Sequence, residues 1–472
     1  MKKLHIPIVL LWALTITNAL GQGAFTNTIG ENWEDEEGYA MYLNSDGTVM
    51  IAGFTESISS GWRDAYLVKT TSSGDTLWTK KFGLMGYDEF TDVVKTADGG
   101  YAMVGRTWDT GTLDDEDVYL VKTDANGNLE WQQTYGGSDD EIGYALKQTQ
   151  DGGYIITGSV SVPGGAHILL IKTNASGDTI WTKTFQASSY GEGEAVIETS
   201  TGDYMVFGYR SNTMYLMKTD ANGDSIWSQE YPDGEYGMDM KETSDGGFIL
   251  LGFTNDIGAG DYDMYLVKVD ANGVSQWAKT YGFPDYENAQ AVIQSSDGGY
   301  VLVGSTYTYI SDDDDLYIVK TNSTGDVEWQ NTYGSIYDDR GYDVVQASDG
   351  GFLAAGYYIQ PGTFYSDVYL IKDMGGASSI EHKSEASSHL VSVAPNPFTE
   401  QTTLTLEVDS RNTVYVDLID LLGKEVQRTQ FFPESAGPIN ILIERNELPQ
   451  GLYFYNIRSN EEIIATGKLT VQ

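Results

Sequence analysis

Short runs in which apolar and polar residues alternate fill most of the chain, and they return on a schedule. The run DGGYAMVG at 98–105 recurs as DGGYIITG (151–158), DGGFILLG (245–252), DGGYVLVG (297–304) and DGGFLAAG (349–356). DGTVMIAG (46–53) and TGDYMVFG (201–208) are looser copies. The last glycines stand at 53, 105, 158, 208, 252, 304 and 356, a step of 44 to 53 residues. A second signature trails these runs, as in DVYLVKTDANGNLEW (117–131), DMYLVKVDANGVSQW (263–277) and DLYIVKTNSTGDVEW (315–329); it closes on Trp at 78, 131, 181, 227, 277 and 329. Alternation of this kind, rich in Val, Ile, Tyr and Thr and broken by Gly and Asn turns, predicts strands and no helix. Each unit predicts four: in the third unit A spans 143–148, B 154–160, C 167–173 and D 179–185.

A four-stranded sheet that cannot bury both faces alone stacks on copies of itself, and this period predicts an all-β, seven-bladed β-propeller. A β-helix needs a much shorter repeat, and an open solenoid needs capping units that the sequence lacks. The seventh copy stops at Lys372 without its Trp strand. FTNTIG (25–30) aligns with WQQTYG (131–136), so the N-terminal segment is expected to supply the missing strand and close the ring. The spacing of the strand C turn and its Trp resembles the tryptophan-docking arrangement of quinoprotein propellers. That resemblance implies a Trp wedged between neighbouring blades and brings no cofactor with it. The lysine column (Lys69, Lys122, Lys172, Lys218, Lys268, Lys320, Lys372) is complete, and its members are expected to lay their stems on the sheet and meet a carboxylate.

The two ends differ from the middle. Residues 1–21 combine Lys2 and Lys3, an apolar run from Ile6 to about Ile16, and Ala19 and Gly21, the pattern of a removable signal peptide. The run is well short of the roughly 20 residues a membrane span needs, so no transmembrane segment is expected in the mature chain. A ring over 22–373 and a linker over 374–390 precede a C-terminal segment, 391–472, in which Gly and Trp thin out and Val, Leu and Ile rise. Its alternating runs predict a small antiparallel sandwich. Pro395-Asn396-Pro397, Asp420-Leu421-Leu422-Gly423-Lys424, Leu448-Pro449-Gln450-Gly451-Leu452-Tyr453 and Gly467-Lys468-Leu469 occur in an order similar to the type A sorting domain of the type IX secretion system. The resemblance implies a Gram-negative bacterium, recognition by the type IX machinery, and delivery to the cell surface or the medium.

Composition sharpens the functional side. The 472 residues carry 69 acidic against 27 basic side chains, a formal charge of −42, which excludes a nucleic-acid binder relying on clustered Lys and Arg. With no cysteine there is no disulfide, thiolate metal site or cysteine nucleophile. Outside the signal only His167, His382 and His389 remain, so no histidine cluster for zinc and no acid–base constellation stands out. In an antiparallel A-B-C-D blade the B–C and D–A loops share one face, which here collects acids and aromatics. Asp312, Asp313, Asp314, Asp115 and Asp117 are the candidate ligands for calcium, whose hard charge suits oxygen donors. Trp62, Trp108, Tyr262, Tyr309 and Tyr365 are the candidates for stacking on a sugar ring. The expectation is a surface binding or adhesion module for polysaccharide or a surface protein. The competing expectation is a polysaccharide hydrolase or lyase whose carboxylate pair hides among the acids.

Overall fold

A computed structural model describes residues 24–30, 34–57, 62–84, 86–109, 115–308, 313–335, 337–360, 365–374, 392–394, 398–408, 413–419, 424–433, 437–446, 448–459 and 462–471. The expected signal peptide and linker lie outside them. Every element found is a strand, so among the described residues no helix is long and apolar enough to cross a membrane.

Seven four-stranded antiparallel sheets follow one another as the blades of a β-propeller. The first blade is Asp35–Leu43, Val49–Ser57, Trp62–Thr70 and Thr76–Phe82, here strands A to D. The next five fill residues 86–135, 141–185, 191–231, 236–281 and 286–333 in the same order. The seventh takes A to C from Asp339–Gln346, Phe352–Ile359 and Ser366–Asp373, and its strand D is Phe25–Ile29 from the start of the chain. Phe25 pairs with Lys372 as Trp131 pairs with Lys122, so the closing strand sits in the register the alignment predicts.

Strands B and C are buried along most of their length, whereas strand D, outermost in the blade, alternates with its other face in solvent. Most core clusters draw on two neighbouring blades, so the ring has no single centre of packing. The Trp column works between blades. A Cβ on Gly127, Gly177, Gly223, Gly273 or Gly325, each in the strand C–D turn, would lie 2.4 to 2.9 Å from the indole of the preceding blade. These glycines also hold φ between +75° and +82°, which other residues rarely adopt. At the closure Phe25 takes the indole's place, 2.7 Å from where a Cβ on Gly74 would stand.

The lysines behave as expected in six blades, and the Asp of each repeat motif proves to be their partner. In the fifth blade Lys268, only 4% exposed, lies 3.0 Å from Asp245 and donates to the Val269 carbonyl. Asp245 also accepts from the Thr243 hydroxyl and the Gly247 amide, and those hydrogen bonds with Lys268 hold its carboxyl at about 2. Asp245→Ala removes three acceptor contacts at once and is expected to cost about 1–3 kcal/mol in chemical denaturation. A loss below about 0.5 kcal/mol would show that the carboxylate is ornamental.

The C-terminal segment forms a three-stranded sheet (Ser392–Ala394, Gln401–Val408, Gly437–Glu444) and a four-stranded one (Glu425–Phe431, Val414–Ile419, Gly451–Ser459, Glu462–Val471). Leu404, Leu406 and Ile441 from the first bury against Val416, Leu418 and Ile457 from the second, the expected sandwich core.

Candidate functional site

The seven A strands line a central channel that encloses about 1090 Å³. Each carries a bulge at the same point, where one residue is skipped in pairing with strand B. The skipped residues are Tyr39, Thr91, Tyr144, Glu194, Met238, Gln290 and Tyr342, and all seven line the channel. The bulge explains the last glycine of the repeat motif. Each of those seven glycines lies across from the bulge, where a Cβ would fall 1.7 to 2.0 Å from a strand A carbonyl oxygen. A bulge re-aims a side chain, and here it aims one per blade into the axis. The next residue is Asp in three blades and ties to the following blade: Asp92 accepts from the Leu146 amide, Asp239 from Val292 and Asp343 from Met41.

Around the loop-face mouth the residues are aromatic and acidic. Tyr209, Tyr236, Phe253, Tyr262 and Tyr286 form a continuous ladder with centroid spacings of 4.8, 5.0, 5.6 and 4.7 Å. Tyr39 meets Tyr342 edge-on at 4.9 Å. Burial pushes Glu37 up to about 7, against the pull of the Tyr39 hydroxyl and Arg63. Glu89 is held by Arg106 at 2.9 Å, and Arg106 also reaches Glu116 at 3.0 Å. Burial, reinforced by the neighbouring Glu192, drives Glu194 well above the usual carboxylate range. Glu192 hydrogen-bonds Tyr144, Tyr209 and Glu194, and its closeness adds to the burial that favours the protonated form of Glu194.

A second set of acids lies between blades. An Asp opening strand C of one blade meets an acid on strand A of the next, beside the glycine that follows strand D. The pairs are Asp64 with Asp88 at Gly83, Asp117 with Glu141 at Gly136, Asp263 with Glu287 at Gly282, Asp315 with Asp339 at Gly334, and Asp367 with Glu36 at Gly30. Among the described residues no three His, Asp or Glu side chains converge as a ready metal cage.

The expected site residues are scattered. Trp108 stacks on Tyr87 at 5.3 Å, Tyr262 joins the mouth ladder and Tyr365 stands just before strand C of the seventh blade, each on a different blade and none in the channel wall. Trp62 opens strand C of the first blade; Tyr309 and Asp312 lie outside the described residues. Asp115 stands just before strand C of the second blade, near Asp117 and Glu141, while Asp313 is buried beside Asp315. Asp314 is engaged by the Arg340 guanidinium, Nε at 3.0 Å. Sequence reasoning missed the channel residues, although each follows a fixed position in strand A, as in EGY39 and GY144A.

Residues 392–472 match the family model of the secretion system C-terminal sorting domain. The protein is thus an all-β propeller with a type IX sorting tail, a tail that directs export across the outer membrane to the cell surface or extracellular space. No curated protein matches the chain significantly. Solved structures similar to it include a protein from Lactobacillus plantarum (12% identity, TM-score 0.45, 84% of this chain and 99% of that one). Sqt1 from Chaetomium thermophilum is 11% identical (TM-score 0.43, 81% and 97%), and a protein of unknown function from Bacteroides caccae is 11% identical (TM-score 0.40, 61% and 94%). The propeller assignment rests on the strand pairing of this chain itself.

Proposed function

We propose that the ring is a binding or adhesion module, exported by its tail, that grips polysaccharide at the loop-face mouth of the channel. The observation that carries this reading is the aromatic ladder of the fourth to sixth blades, which shares the loop face with Glu37, Glu89 and the arginines of the first two. Ring faces stack on sugar faces, and carboxylates accept the hydroxyl hydrogen bonds. A surface protein is the alternative occupant. Glycan-array and calorimetric titration of the mature chain test the reading: a soluble glycan should bind, and Tyr236→Ala or Tyr262→Ala should weaken it about tenfold, the loss of one stacking contact. A folded chain that binds no glycan overturns it.

The adjacent pair Glu192 and Glu194 favours a second reading, a polysaccharide hydrolase or lyase, because two carboxyls side by side, one of them pushed toward its protonated form by burial, are what acid–base chemistry needs. Release of new reducing ends, abolished in Glu194→Gln, would replace binding with catalysis.

A further inference from the structure

The acid pairs between blades have no part in the mouth, and one of them is wholly buried. Asp263 and Glu287 are both 0% exposed. Asp263 Oδ2 accepts from the Ala259 and Gly260 amides at 2.9 and 3.1 Å. Its Oδ1 is buried and has no hydrogen-bond partner. That oxygen faces Glu287 Oε2: both lie within 2.3 Å of the point a Cβ on Gly282 would occupy. Glu287 is otherwise held by the Thr306 hydroxyl at 2.7 Å and the Phe283 amide at 2.9 Å. The backbone at Gly282 is not left-handed, so the glycine is there for space, not for φ.

Two buried carboxylates facing each other are costly unless a proton or a cation lies between them. The repeat links the three positions. At the boundary of the third and fourth blades the Asp position is His167, the acid position is Gly191 and the glycine position is Gln186, all three replaced; at the next boundary Thr213 and Pro232 replace the Asp and the glycine while Glu235 keeps the acid. Oxygen-only donors carrying two negative charges match a hard divalent cation, and water completes the shell.

We propose that each of the five carboxylate boundaries holds one divalent cation, calcium by preference, and that the occupied ring clamps neighbouring blades together. This moves the calcium expectation from the loop tips to the seams, where Asp117 pairs with Glu141 and Asp315, next to Asp313, pairs with Asp339. It stands whether or not the mouth binds glycan.

Burial, with Asp263 and Asp285 adding to it, raises Glu287 to about 7.

The test uses the mature full chain after chelator dialysis, with calcium chloride as the probe in equilibrium dialysis, calorimetry and thermal melting. About five calcium ions per chain and a rise in melting temperature of about 10 °C at pH 8 are expected. Asp263→Asn with Glu287→Gln should lower the stoichiometry by one while circular dichroism stays that of the parent, and His167→Ala should leave it unchanged. Chelator-stripped protein that takes up no added calcium, or a double variant that binds as many ions as the parent, overturns the proposal. So does a chain whose stability responds to acid alone, which would make the pairs shared-proton dyads.

Discussion

A chain beginning at residue 31 is expected to melt about 7 °C below one beginning at residue 22, or to aggregate before it melts. Phe25–Ile29 pairs along Ser366–Asp373 from Phe25↔Lys372 to Ile29↔Val368. Ile29, 7% exposed, sits in a cluster built from Val49, Ile51 and Val68 of the first blade and Leu353, Val368 and Leu370 of the seventh. The strand is therefore both the outer strand of one blade and part of the seam between the first and last. Losing the buried Ile29 and half-buried Phe25 side chains and the strand hydrogen bonds removes on the order of 5 kcal/mol. That is comparable to the whole stability of an ordinary domain, about 5–15 kcal/mol. Strand Ser366–Asp373, buried along its whole length, would become an edge with unpaired amides and carbonyls, a template for aggregation. Differential scanning calorimetry and light scattering on the two chains decide it. A melting temperature within about 2 °C of the parent would mean that the ring closes without this strand.

That closure was legible in the sequence because it obeys the repeat: FTNTIG lacks the Trp of WQQTYG yet keeps its Thr and Gly. The Trp column and the turn glycines were legible for the same reason, since one geometric demand recurs in every blade. What the repeat does not display is a reason. The closing glycine of DGGYVLVG marks the fold in sequence, but only the structure shows that it makes room for a bulge in the neighbouring strand. The skipped residues range from Tyr39 to Thr91 to Glu194, so no shared residue type flags them. The paired acids were hidden differently. Asp263 and Glu287 lie 24 positions apart in acidic loop sequence that reads as solvated charge, and only blade stacking buries them face to face. Conversely Trp108, Tyr262 and Tyr365 were grouped because their loops share one face. The ring then spreads that face over separate blades, and the ladder that does form recruits Tyr209, Tyr236 and Phe253 from strand ends.

Replacing Gly304 by alanine is expected to destabilise the ring by about 3–4 kcal/mol, far more than alanine usually costs on a strand. A Cβ there would stand 1.9 Å from the Asn288 carbonyl oxygen and 2.9 Å from the Met264 methyl. A methionine tip can move, but a backbone carbonyl within a paired strand cannot without carrying its neighbours. Relief requires strand A of the sixth blade to withdraw or to lose its bulge at Gln290. Losing the bulge shifts the register by one residue, and in a strand that turns the side chains to opposite faces. Gln290 would then leave the channel wall and Ala289, now fully buried, would be driven toward it. Gly298→Ala separates this from a general effect of added bulk. There φ is +86° but a Cβ would meet nothing within 4 Å, so only backbone strain of about 1 kcal/mol is expected. Urea denaturation of both variants gives the comparison, and equal losses would sink the steric account. The same pair probes function: Gly304→Ala disturbs the channel wall, whereas Gly298 lies in a tight turn between strands A and B on the opposite face. Glycan affinity, if it resides at the mouth, should therefore fall in the first variant and hold in the second, measured at a temperature where both remain folded.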